Sequence, residues 1–302
     1  MKKTLFRLSC LLLWTSLLVA KPLSSAAVPD NPPIPAQALA PVMQDGTVTT
    51  PTFLDAVNQL MKQIAGQQGF EAWKQASWTS YPLGPGQHGW IVLLKAGGAE
   101  VGYMVIYADP DNPDKYKLAE YGSGSAPLFS LNTLYQSLVQ LELIDTSYKA
   151  ERWYADPFHA VWLVSAGEQN YYIDAKTGQP LPLSSVQELQ DASLAAAPPP
   201  RIGPDHTVAA SLQTDAFDPY DRLPWVKGQA VSFSRFELLA AAIKEQRKLT
   251  FVAELYGRTV TLPLAVTGYH RWSDEEAFLL LDQDGPRAVS YAAVSAAGRL
   301  FP

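Results

Sequence analysis

The chain has 302 residues, 47% of them apolar and 11% aromatic, enough to bury a sizeable core in about two domains. Its 29 acidic residues outnumber 23 basic ones, giving a net charge of −6 that argues against nucleic acid or anionic membrane surfaces as partners. The single cysteine, Cys10, sits near the N-terminus, so the rest of the chain offers no disulfide, thiolate nucleophile or cysteine-ligated zinc.

Residues 1–26 read as a signal peptide. Lys2, Lys3 and Arg7 precede the apolar run Leu8–Ala20, and Ser24-Ser25-Ala26 offers small residues for cleavage. The run is too short to span a bilayer as a helix. Cys10 lies inside it, with Arg7 three residues before, which does not suit lipidation. The expectation is a secreted, cysteine-free mature chain. Removing residues 1–26 takes away four basic residues and no acidic one, leaving 19 against 29 and a net charge of −10. No later segment is long and apolar enough to suggest a membrane span after cleavage. Residues 27–51, rich in proline, read as an extended linker.

From Thr52 the pattern becomes helical: Phe53, Ala56-Val57, Leu60-Met61 and Ile64 recur on one face, with Thr52 as the expected cap. A short helix over FEAWKQA follows. GWIVLLKAGGAEVGYMVIYAD predicts two strands turning at Gly97-Gly98, and KYKLAEYG a further strand. A second helix, capped by Ser130, carries Leu131, Leu134-Tyr135, Leu138-Val139 and Leu141. SYKAERWY, HAVWLVSAG and NYYIDAKTG then read as strands, so a helix-then-strands unit is used twice over 52–183. Residues 184–194 suggest a short polar helix.

AAAPPPRIGPDH, 195–206, reads as a linker between domains. The predicted organisation is a domain at 52–194 and another at 207–302. The second opens with a helix over SRFELLAAAIKEQRK, capped by Ser234, and continues as an antiparallel series through LTFVAELYG, RTVTLPLAVTGYHRW, AFLLLDQDG and PRAVSYAAV. The fold class expected is α+β: two small domains, each an antiparallel sheet with one or two packed helices.

Tyr171, Tyr172, Ile173, Asp174, Ala175, Thr177, Gly178 and Leu181 resemble the closing strand and turn of PepSY domains. Gly102-Tyr103-Met104-Val105-Ile106-Tyr107-Ala108-Asp109 resembles a strand of streptopain-like peptidase propeptides. These resemblances imply a non-catalytic binding or inhibitory module. In the second half, Glu237-Leu238-Leu239, the strand Leu249–Leu255, Ala265-Val266-Thr267-Gly268-Tyr269, Asp282 and Ser290 resemble the C-terminal part of papain-like, bacteriocin-leader-cleaving peptidases. Leu264 stands where that family has its catalytic His, and the mature chain has no cysteine. Only Asp282 matches an orienting position, so the resemblance implies a degenerate site at Leu264 and Asp282 without activity. The same stretch also resembles a WYL or SH3-like barrel, in which paired strands present a ligand groove.

His88, His159, His206 and His270 show no metal spacing, and no serine sits in a nucleophile elbow. No cofactor is implied. Asp109, Asp111, Asn112 and Asp114 offer oxygens to calcium, although Pro110 and Pro113 interrupt the spacing and favour a solvated turn. The candidate binding surface is aromatic: Trp153, Tyr154, Tyr171, Tyr172, His270 and Trp272. The function expected is that of an exported binding protein, an inhibitor of or chaperone for an exported peptidase. The alternatives are a hydrolase with an unrecognised site and a cell-wall or polysaccharide-binding protein.

Overall fold

The computed structural model describes residues 50–84, 88–221 and 223–302. The signal-peptide and linker readings at 1–49 lie outside the described residues. Helix α1 (Pro51–Ile64) begins one residue before the expected cap. Thr50, and not Thr52, is the N-cap, accepting from the Phe53 amide at 3.4 Å. Pro51 suits the first helical position because that amide would have no partner there anyway. Phe53, Ala56, Val57, Leu60 and Ile64 form its buried stripe.

A 3-10 turn (Glu71–Gln75) leads into four antiparallel strands: β1 (Ser77–Leu83), β2 (Gly89–Ala96), β3 (Ala99–Asp109) and β4 (Asn112–Ser123). Helix α2 (Leu131–Gln140), capped by Ser130 as expected, precedes β5 (Tyr148–Asp156), β6 (His159–Ala166) and β7 (Gln169–Asp174). These last three make a separate sheet. Helix α3 (Val186–Ala195) follows, then β8 (Ala210–Gln213), the short α4 (Pro224–Lys227) and α5 (Phe236–Lys244). Residue 235, not Ser234, caps α5, and no side-chain bond supports it. The chain ends as β9 (Leu249–Leu255), β10 (Val260–Arg271), β11 (Ala277–Asp282), β12 (Pro286–Ser290), α6 (Tyr291–Ala297) and β13 (Gly298–Phe301). PRAVSYAAV is thus half strand and half helix. Ser290 stops the strand by capping α6, its hydroxyl accepting from the Ala293 amide.

The class is α+β with antiparallel sheets, as expected. The two halves, however, share one ten-stranded sheet in the order β1-β2-β3-β4-β12-β11-β10-β9-β13, with β8 also on β10. The join is β4 to β12, Glu120 opposite Val289 and Gly122 opposite Arg287. The proline-rich stretch 195–206 is therefore a connection across one body and not a boundary between two sheets. Ile202 is fully buried and its carbonyl accepts from the Leu118 amide of β4.

One face of the large sheet is covered by α1, and this core runs unbroken from Val92 and Ile106 to Phe278 and Leu280. On the other face the cover is split. The small sheet and α2 pack over β1–β4, while α5 and α6 pack over β9–β12. The outer face of the small sheet is closed by Leu189 of α3 and by Tyr256.

Two glycines that carry the family resemblances are required by close backbone approach. A Cβ on Gly268 (φ +157°) would lie 2.1 Å from the Leu212 carbonyl of β8. One on Gly102 (φ +154°) would lie 2.5 Å from both the Gly122 carbonyl and the Trp73 indole nitrogen.

Candidate functional site

The split in the cover is bridged by buried charge. Glu120 accepts from Arg287 Nε at 2.9 Å and from the Tyr103 hydroxyl at 2.9 Å. Burial alone would pull the Arg287 guanidinium down, but the Glu120 carboxylate outweighs it and holds the pKa above the ordinary arginine value. Burial raises the Tyr103 phenol well above its usual range, so it stays a donor to that carboxylate.

Arg287 also donates to the Pro157 carbonyl, at the tip of the β5–β6 hairpin. Next to it Phe158 inserts into the C-terminal core against Phe251, ring centroids 5.1 Å apart. The hairpin tip is thereby pinned from both sides. Asp156 Oδ1 accepts from the amides of Phe158 (2.7 Å) and His159 (3.0 Å), and its Oδ2 lies 2.9 Å from His159 Nδ1. A two-residue turn thus fixes a carboxylate–imidazole pair with the second ring nitrogen uncommitted to it.

This pair stands between two pockets. One, of about 520 Å³, is walled by the hairpin tip, α3, the end of β9 and the alanines of α6. The other, of about 600 Å³, is walled by β3, β5, the Ala196–Pro200 strap and Ser290. Asp156, Ala197 and Ala293 line both, so the two pockets adjoin at the strap and are together called the groove.

The first pocket is acidic, with Asp156, Glu188, Asp191 and Glu254 in its wall against the single imidazole of His159. Glu254 is paired with Arg258 (3.0 Å) and Arg299 (2.6 Å). Glu188 accepts from the Ser184 amide and hydroxyl, which hold its carboxyl below the usual value, and Asp191 accepts from Gln187. Tyr256, Gly257 and Arg258 successively adopt left-handed φ of +49°, +64° and +73° at the rim. Two of the three carry side chains, a strained geometry of the kind retained where a loop must present groups. Burial raises the Tyr256 phenol, and its ring meets His159 edge-on at 5.0 Å.

The second pocket is lined mainly by small and apolar residues, including Leu83, Val105, Ala119 and the strap prolines. Tyr154 is in its wall, 8% exposed, with a hydroxyl that has no partner.

The aromatic surface expected from the sequence does not form. His270 and Trp272 are buried beneath α1, 1% and 3% exposed. Trp272 Nε1 donates to the Tyr121 hydroxyl at 3.2 Å, and the same hydroxyl shares a hydrogen bond with His270 Nδ1 at 2.7 Å. Burial lowers the His270 pKa to about 4. Trp153 and Tyr154 are neighbours on one strand, as are Tyr171 and Tyr172, and each pair divides between the two faces of the small sheet. Both faces are covered, so Tyr154 and Tyr172 are buried and Trp153 and Tyr171 half-buried.

The degenerate-site positions do not converge. Asp282 pairs with Ala265 across the sheet and shares its face, whereas Leu264 points to the opposite face, into the C-terminal core. Residues 109–114 are a tight β3–β4 turn in which Asp109 accepts from the Asp111 amide and lies 3.7 Å from Lys117. Among the described residues no three His, Cys, Asp or Glu side chains are grouped to hold a metal ion.

From the sequence, His159 is weighed only for metal spacing and is not paired with Asp156. The available signal was Asp-Pro-Phe-His between two strands, a spacing at which the carboxylate can reach both its own turn and the imidazole. Comparison of the chain with protein-family models, curated proteins and solved structures finds no match.

Proposed function

We propose that the protein is an exported, non-catalytic binding protein whose ligand occupies the groove under the Ala196–Pro200 strap. The observation that carries this reading is the pair of adjoining pockets, lined largely by small and apolar residues, where the sheet's cover is divided. Concavity at a junction of packed units is where small ligands and peptide side chains are commonly held. The propeptide-like and PepSY-like segments support a partner among exported peptidases. The strand order β13-β9-β10-β11-β12, with a helix before the last strand, favours the SH3-like alternative for the C-terminal part over the papain-like one.

The test uses a neutral apolar dye, N-phenyl-1-naphthylamine, whose emission rises on leaving water. Emission should rise on adding the protein and not on adding Ala197→Trp, which fills the point shared by both pockets. Equal emission with the variant, or none with either protein, sinks the reading.

A second reading is favoured by one observation, the His159–Asp156 contact in a pocket wall. His159 would then act as a general base on water in a hydrolase. Turnover of a simple ester that is lost in His159→Gln would establish it, and an unchanged rate would remove it.

A further inference from the structure

We infer that the groove selects a ligand of two parts: an apolar side chain for the strap pocket and a cationic group for the acidic pocket. A short peptide with a hydrophobic residue beside a lysine or arginine has this chemistry. The inference rests on the binding reading above and adds the chemical class of the ligand.

The two ends of the groove differ in kind. Beneath the strap, Leu83, Val105, Ala119 and Pro198 present carbon, and the largely buried ring of Tyr154 adds to that wall. An apolar side chain fits there. Beyond the shared Asp156 the wall turns acidic. Glu188 and Asp191 lie three residues apart on α3, so they share a face. Their partners there, Ser184 and Gln187, are neutral, unlike those of Glu254, which already has two arginines. A cation near Glu188 and Asp191 meets carboxylates whose hydrogen-bond partners are neutral; an anion is repelled. The excess of acidic residues over the whole chain adds a long-range attraction of the same sign.

The test is calorimetric titration of the full chain with three blocked ligands: N-acetyl-Phe-Arg-amide, N-acetyl-Phe-Glu-amide and N-acetyl-Phe-amide. The arginine ligand should bind roughly tenfold tighter than the glutamate one. That preference should shrink as salt is raised. In the double variant Glu188→Gln/Asp191→Asn, both positions being on the surface of α3, the arginine preference should fall to about twofold or less, with N-acetyl-Phe-amide unaffected. If the three ligands bind alike and Ala197→Trp abolishes all of them, the groove binds but the charge inference is wrong. If none binds and the apolar dye also fails, the binding reading itself has failed. If the dye binds and no peptide does, the peptide class is wrong.

Discussion

Glu120 and Tyr121 are adjacent on β4 and look out from opposite faces of the same sheet, and they keep very different company. Tyr121 lies under α1 in a continuous core, joined to His270 and Trp272 in a neutral hydrogen-bonded cluster. Glu120 lies where two covers meet, and it is an ion with an ionic partner. One helix across the sheet seals it. Two covers that abut leave an edge, and at that edge charge is buried at the join and a groove remains beside it. The lesson is that the site arises from how the second face is divided, not from a sequence motif placed on it.

The comparison can be broken hardest at Arg287. Arg287→Met leaves Glu120 buried without its cation and frees the hairpin tip, and should cost about 3–5 kcal/mol in urea unfolding. Adding Glu120→Gln should recover part of that loss. A double variant as unstable as the single one would show that the ion pair is not what joins the covers.

The sealed face should reveal itself in acid. The folded His270 has a pKa of about 4, below its ordinary 6.5. As pH falls through that window the unfolded chain takes up the proton first, so stability falls between about pH 6.5 and pH 4, by on the order of 3 kcal/mol from this group. His270→Gln should flatten that part of the pH–stability curve; an unchanged slope would assign it elsewhere. A smaller effect is expected at the groove's own edge. Ser290→Ala removes the α6 cap and should cost about 1 kcal/mol by thermal unfolding. Least of all, Glu188→Gln/Asp191→Asn should leave the thermal unfolding curve close to that of the parent while altering ligand preference.

The helices and most strands could be read from the sequence, because their information is local. α1, α2 and α5 have one-sided apolar stripes, and the β2–β3 hairpin turns at Gly97-Gly98 as its composition dictates. What escaped was pairing at a distance. Nothing near Pro198-Pro199-Pro200 announces that Ile202 is buried against β4, and proline-rich composition looks the same in a linker and in a strap. The aromatic residues misled for a related reason. Alternation puts Trp153 and Tyr154 on opposite faces, and only the tertiary layers decide that both faces are covered. Leu264 was legible as apolar, yet its disposition relative to Asp282 depended on cross-strand register, which the sequence does not display.

The pairing of β4 with β12 also sets a timetable. Synthesis delivers the N-terminal half first, and Glu120 and Arg287 are 167 positions apart. Until the last strands arrive, β4 offers an open edge with a carboxylate on it, and an open edge invites pairing with a neighbouring chain. Closing so long a loop is slow compared with forming the hairpins on either side. The β4–β12 pairing is therefore expected to form after the hairpins on either side of it. A chain shortened before Pro286 would lack the strand that covers this edge.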